Sequence, residues 1–158
     1  MCCYGIMKDV FYISNRRTVS LEMMADRCET YDDFEKLVSD ELLEEGCPIG
    51  IYLQELLWKY DKAAASVSLE AGLARSYVGN IINGKKNNPG RDALISICLA
   101  IGTDLKEVQY LLRYGGHAPL YVRRRRDVVI WFGFRKKRTL MQVDEDLYNH
   151  GFRTLMKQ

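Results

Sequence analysis

Between residues 49 and 116, apolar side chains recur every three or four positions, and a glycine closes almost every run. In "IGIYLQELLWKYD" the residues Leu53, Leu56, Leu57 and Tyr60 fall on one helical face. "KAAASVSLEAG" is short, rich in small residues and stops at Gly72, and "RSYVGNIING" stops at Gly84. "GRDALISICLAIG" aligns Leu94, Ile97, Cys98 and Ile101 before Gly102. "TDLKEVQYLLRYGG", capped by Thr103 or Asp104, turns Leu105, Val108, Leu111 and Leu112 inward and ends at Gly115-Gly116. A period of 3.6 with glycine stops predicts five short helices, hence a compact α-helical domain over 49–116.

The flanks extend this all-α reading. Residues 1–29 show no clear period and receive no assignment. Residues 30–48 form an acidic helix in "TYDDFEKLVSDELLEEG", with a Thr30/Asp33 capping pair, a stripe of Phe34, Leu37, Val38 and Leu42, and Gly46 as its stop. In residues 117–158, "DVVIWFGF" has the composition of a buried strand. A lone strand has nothing to pair with, so the pattern predicts a helical hairpin over 125–136 and 140–150. Its second helix opens on a Thr139/Gln142 capping box, buries Leu140, Val143 and Leu147, and stops at Gly151.

Composition narrows the function classes. The chain has 158 residues, 47% of them hydrophobic, enough for one ordinary core or two small ones. No apolar run reaches the roughly 18 residues a membrane span needs, and Asp9 interrupts an opening that lacks a secretory pattern. Five scattered cysteines (Cys2, Cys3, Cys28, Cys47, Cys98) and two histidines make no metal-ligand spacing, which points to reduced thiols, a cytoplasmic location and no metal or cofactor. The formal net charge of +2 hides an asymmetry. Residues 1–48 carry five basic and eleven acidic side chains, whereas residues 117–158 carry ten and four. An acidic front and a basic rear suggest intramolecular or dimer contacts, or a phosphate-facing surface.

The segment Lys62 to Gly84 has the layout of a helix-turn-helix. Gly72 can take the left-handed conformation that the turn needs, while Val67, Ala71, Val78 and Ile81 can pack the two helices together over the small Ser68. The second helix would then present Arg75, Ser76, Gly79, Asn80 and Asn83 outward. Arginine pairs bidentately with guanine and asparagine with adenine in a major groove. Lys85 and Lys86, with the amides of "GKKNN", are placed to grip phosphates.

On these residues the segment 51–112 resembles the Cro/repressor (XRE) family, whose DNA-binding domain is the five-helix lambda-repressor-like fold. The matching positions are Leu53, Leu56, Ala71-Gly72, Arg75-Ser76-Tyr77-Val78, Ile81, Asn83-Gly84-Lys85, Pro89, Leu94, Ala100-Ile101-Gly102 and Leu105. "RSYVGNIINGKKNNP" is the specific part. The tail is similar to helical extensions on some bacterial members. The resemblance implies a bacterial transcriptional regulator that contacts double-stranded DNA through Arg75, Ser76, Tyr77, Asn80, Asn83, Lys85 and Lys86. Four positions depart from the family pattern. Ala64 replaces a phosphate-touching glutamine, Ala74 a Ser or Thr cap, Gly79 a larger side chain, and Ile82 a polar one. Such departures would suit a helical adaptor that kept the fold for protein contacts and lost DNA binding.

The other candidates read as structural. Trp58 and Trp131 are expected to pack in the core or an interface. His117 lies in a loop and His150 at a helix end, where a cation suits the dipole. Ser66, Ser68 and Ser76 lack a nucleophile-elbow context, and no catalytic constellation is expected. The clusters Arg123–Arg126 and Arg135–Arg138 are expected at the two ends of one tail helix. There they could add to a phosphate footprint, support a homodimer or meet a protein partner.

Overall fold

The computed structural model of the chain describes residues 24–38 and 49–156. Two compact units are formed, residues 1–46 and 47–158. Among the described residues every regular element is an α-helix, and none is long and apolar enough to cross a membrane.

In the first unit, helix α1 (Tyr31–Val38) begins as expected: the Thr30 hydroxyl accepts from the Asp33 backbone N–H at 3.2 Å and donates to the Asp33 carboxylate at 2.7 Å. Val38 is buried, but Leu37, expected on the same stripe, is exposed. Leu42 and Gly46 lie outside the described residues.

The second unit contains α2 (Ile49–Lys59), α3 (Ala64–Glu70), α4 (Tyr77–Ile82), α5 (Arg91–Ile101), α6 (Leu105–Tyr114), α7 (Arg125–Arg135) and α8 (Leu140–Asn149). Helix α5 is its axis. Leu94, Ile95, Ser96, Ile97, Cys98, Leu99 and Ile101 are all buried, so this helix is covered nearly all round, by α3, α6 and α8 among others. Helix α2 packs on α4 and α6. It closes on Gly50, where a Cβ would sit 2.7 Å from the Ile81 carbonyl oxygen and 2.9 Å from the Ile82 Cα. Of the two caps open for α6, Asp104 takes the role: its carboxylate accepts from the Glu107 N–H, and the Glu107 carboxylate accepts from the Asp104 N–H, both at 2.9 Å. Buried Glu107 also accepts from Tyr60 Oη at 2.7 Å and pairs with Lys59, joining α2 to α6.

The "DVVIWFGF" stretch is helical, and the hairpin α7–α8 forms with the expected Thr139/Gln142 capping box. One face of α7, Asp127, Ile130, Gly133 and Phe134, is buried, and Gly133 lets Val143 of α8 come so close that a Cβ would meet its Cγ2 at 2.5 Å. Residues 117–156 therefore share the core of 49–116, contributing Leu120, Ile130, Phe134, Leu140, Val143, Leu147 and Leu155 to one cluster. Trp131 packs against it as expected, whereas Trp58 is 64% exposed and belongs to no core.

Two identical dipeptides lock this packing. Arg91-Asp92 at the start of α5 faces Arg126-Asp127 at the start of α7, and each arginine grips the other segment's aspartate with two nitrogens. Arg91 holds Asp127 at 3.0 and 2.8 Å, and Arg126 holds Asp92 at 2.9 and 3.1 Å. Arg153 adds a contact to Asp92 at 2.7 Å, and Asp127 accepts from the Tyr121 N–H at 3.0 Å. Bidentate pairs of this kind are the strong class of charge-assisted bond. Burial pushes the Asp92 carboxyl upward, but Arg126 and Arg153 outweigh it and hold the group below its usual value of 3.8. A carboxylate with a depressed folded-state pKa stabilises the fold fully above its unfolded value and loses that contribution as pH falls through the folded one. Acid titration of unfolding should therefore give a steeper loss below about pH 4 in the wild type than in Asp92→Asn.

Candidate nucleic-acid interface

Helix α3 ends in a Schellman motif. The Gly72 N–H donates to Leu69 O at 3.0 Å and the Leu73 N–H to Ser68 O at 2.9 Å, with Gly72 at φ +69° as the turn requires. The chain then rises through Ala74, Arg75 and Ser76 into α4. Val67, Ala71, Val78 and Ile81 are buried between the elements, as the sequence pattern implied.

Helix α4 is shorter than "RSYVGNIING" predicts. It spans Tyr77–Ile82, so Arg75 and Ser76 precede it, and the Ser76 hydroxyl makes no capping bond. The cap comes from the neighbouring helix instead. Ser68, fully buried on α3, donates its hydroxyl to Ala64 O at 2.8 Å and accepts from the Val78 N–H at 3.1 Å. One free N–H at the start of α4 is thereby satisfied, and the missing cap at Ala74 is offset. Removing the acceptor while keeping the volume nearly constant isolates this bond. Ser68→Ala should cost about 1–3 kcal/mol in denaturant unfolding, the penalty of a buried unsatisfied donor.

The far end of α4 folds back on itself. The Lys86 N–H donates to Asn80 O at 3.0 Å, and Lys86 Nζ lies 4.9 Å from the Tyr77 ring centroid, a cation–π contact that ties the loop to the helix start. Arg75, Ser76, Asn83 and Lys85 are exposed, and Tyr77, Asn80 and Lys86 are half-buried. Gly79 is half-buried, with nothing within 4 Å of the point where a Cβ would stand, and Ile82, read as an outward departure, packs partly against the core. No acidic residue occurs from Ala71 to Gly90.

No protein-family model matches this chain, and no significantly similar curated protein or solved structure is found.

Other groups are accounted for by packing. A cavity of about 1130 Å³ beside the turn is lined by Tyr77, Lys86, Arg126, Arg153 and Met156, with Asp92 already holding both arginines. Of the basic clusters, Arg126 is committed to Asp92 and Arg138 to Asp146 at 2.6 Å, so neither is a free phosphate ligand. His117 Nε2 lies 2.7 Å from Pro89 O and His150 Nδ1 2.7 Å from Asp146 O, both in loop or helix-end roles. Burial pushes the Cys98 thiol up to about 12, which leaves it unreactive. Among the described residues no His, Cys, Asp and Glu group could hold a metal ion. The sequence reading missed Ser68 as a cap and the paired Arg-Asp dipeptides, because both act between segments far apart in the chain.

Proposed function

We propose that the chain is a DNA-binding protein of the helix-turn-helix kind, acting as a bacterial transcriptional regulator with a lambda-repressor-like domain rather than as an enzyme. The observation that carries this is the surface around α4: an acid-free run from Ala71 to Gly90 that exposes Arg75, Ser76, Asn83 and Lys85. In this reading α4 enters the major groove of double-stranded DNA. Arg75 and Ser76, just before its first turn, Asn80 within it and Asn83 at its C-terminal end reach base edges, with Tyr77 alongside. Lys85 and Lys86 hold phosphates, Lys86 being pre-positioned by Tyr77. Arg124 and Arg135, which pair with no acid among the described residues, lie in the same compact unit and supply further attraction.

Two substitutions separate the roles. Arg75→Ala should cost about 1–3 kcal/mol of discrimination at one base pair while leaving random-sequence affinity nearly unchanged. Lys85→Ala should weaken all duplexes alike and flatten the salt slope by about one unit. Equal loss of specific and random binding in both variants would remove base reading from Arg75.

A further inference from the structure

We propose that a groove along the outer face of α7 is a docking site for an acidic amphipathic helix of a protein partner. The groove has a volume of about 630 Å³. Its floor is apolar: Val122 is 57% and Phe132 49% exposed, and Val128 and Val129 are half-buried. Its rim is basic, with Arg123 and Arg125 at one end and Lys136 at the other, the last lying 5.8 Å from the Phe132 ring centroid. The lining acid, Asp146, is already taken by Arg138. Arg123, Arg125 and Lys136 have no acidic partner among the described residues.

Of the apolar α7 residues on this face, Val129 packs partly against the core, whereas Val128 and Phe132 do not. Helix α7 buries the opposite side, Asp127, Ile130, Gly133 and Phe134. Val128, Phe132 and Lys136 stand at successive i, i+4 positions, forming one outward strip about 12 Å long by helix rise. An exposed apolar strip rimmed by one sign of charge marks an interaction surface. A helix carrying apolar anchors at i, i+3, i+4 and i+7 with flanking Asp or Glu would cover the floor and neutralise the rim. A phosphate backbone would leave Val122 and Phe132 uncovered. None of these residues belongs to the α4 set, so the inference stands apart from the DNA reading.

The test is a fluorescence-anisotropy titration of the full chain with a labelled peptide of about 15 residues, leucines at the i, i+3, i+4, i+7 spacing and glutamates elsewhere. Saturable binding is expected, weakened about tenfold or more by Phe132→Ser and by Arg125→Glu. Both positions are exposed, and a glutamate at Arg125 suits the α7 N-terminal dipole, so both variants should retain wild-type circular dichroism. A control peptide with serine for leucine, at the same charge, should not bind. Equal binding of that control, or unchanged affinity in both variants, would overturn the proposal. So would binding of phosphatidylserine vesicles, or of random duplex DNA, that is lost in Phe132→Ser.

Discussion

Replacing Gly50 with alanine is expected to destabilise the unit 47–158 by about 2–3 kcal/mol, because the added methyl meets backbone rather than a yielding side chain. Its Cβ would fall 2.7 Å from Ile81 O and 2.9 Å from both Ile82 Cα and Ile82 O. Only a shift of α2 against α4 relieves that, and both helices are fixed to the core by Leu53, Leu56, Val78 and Ile81. The gain in helix propensity, at most about 1 kcal/mol, is smaller than the clash. The same exchange at Gly79 should have the opposite sign. No atom lies within 4 Å of its Cβ position, so alanine should stabilise the unit by up to about 1 kcal/mol. Thermal unfolding of the two variants side by side checks both signs. A stable Gly50→Ala protein would show that α4 does not sit against the start of α2.

Asp127→Ala is expected to cost about 3 kcal/mol or more, the characteristic effect of stranding one member of a buried pair. Asp127 is 3% exposed and takes both ends of the Arg91 guanidinium together with the Tyr121 N–H. Its loss leaves Arg91, one-fifth exposed at the side chain, with the Ala118 and Pro119 carbonyls as its acceptors among the described residues. The double variant Arg91→Met/Asp127→Leu should recover much of that loss, since an apolar pair of similar volume carries no desolvation cost. Urea denaturation of the single and double variants measures the difference. Equal destabilisation by both would mean that the cost does not come from a stranded Arg91 charge, since the double variant has none.

How far the sequence was legible depends on whether the deciding force is local. The helices over 49–114 repeat apolar residues at 3.6 spacing, and several end at glycines in left-handed conformation such as Gly72 and Gly102, so their existence and those C-terminal limits could be read directly. The caps at Thr30 and Thr139 were legible for the same reason, since both partners lie within one turn. Helix α7 was harder. Its buried side holds Ile130 and Phe134, while Val128 and Phe132 face the groove, so the apolar residues show no helical stripe and mimic a strand. Leu37, and Trp58 as a core candidate, misled because hydrophobicity does not state which side of a helix finds a neighbour. The Ser68 cap and the Arg91–Asp127 and Arg126–Asp92 pairs span 10, 36 and 34 positions, and only the folded chain brings them together. The α4 surface itself was mostly legible, apart from the start of the helix, which lies two residues later than the polar pattern implied.

The most direct measurement is the affinity of the full chain for random and genomic duplex DNA, titrated with salt from about 50 to 200 mM. DNA binding through α4 and its lysines predicts measurable random-duplex binding at the low end, a linear fall of log affinity with log salt, and a slope reduced by about one unit in Lys85→Ala. A full-length chain that shows no DNA binding even at about 50 mM salt would contradict the account and leave the α4 surface without nucleic acid as its partner.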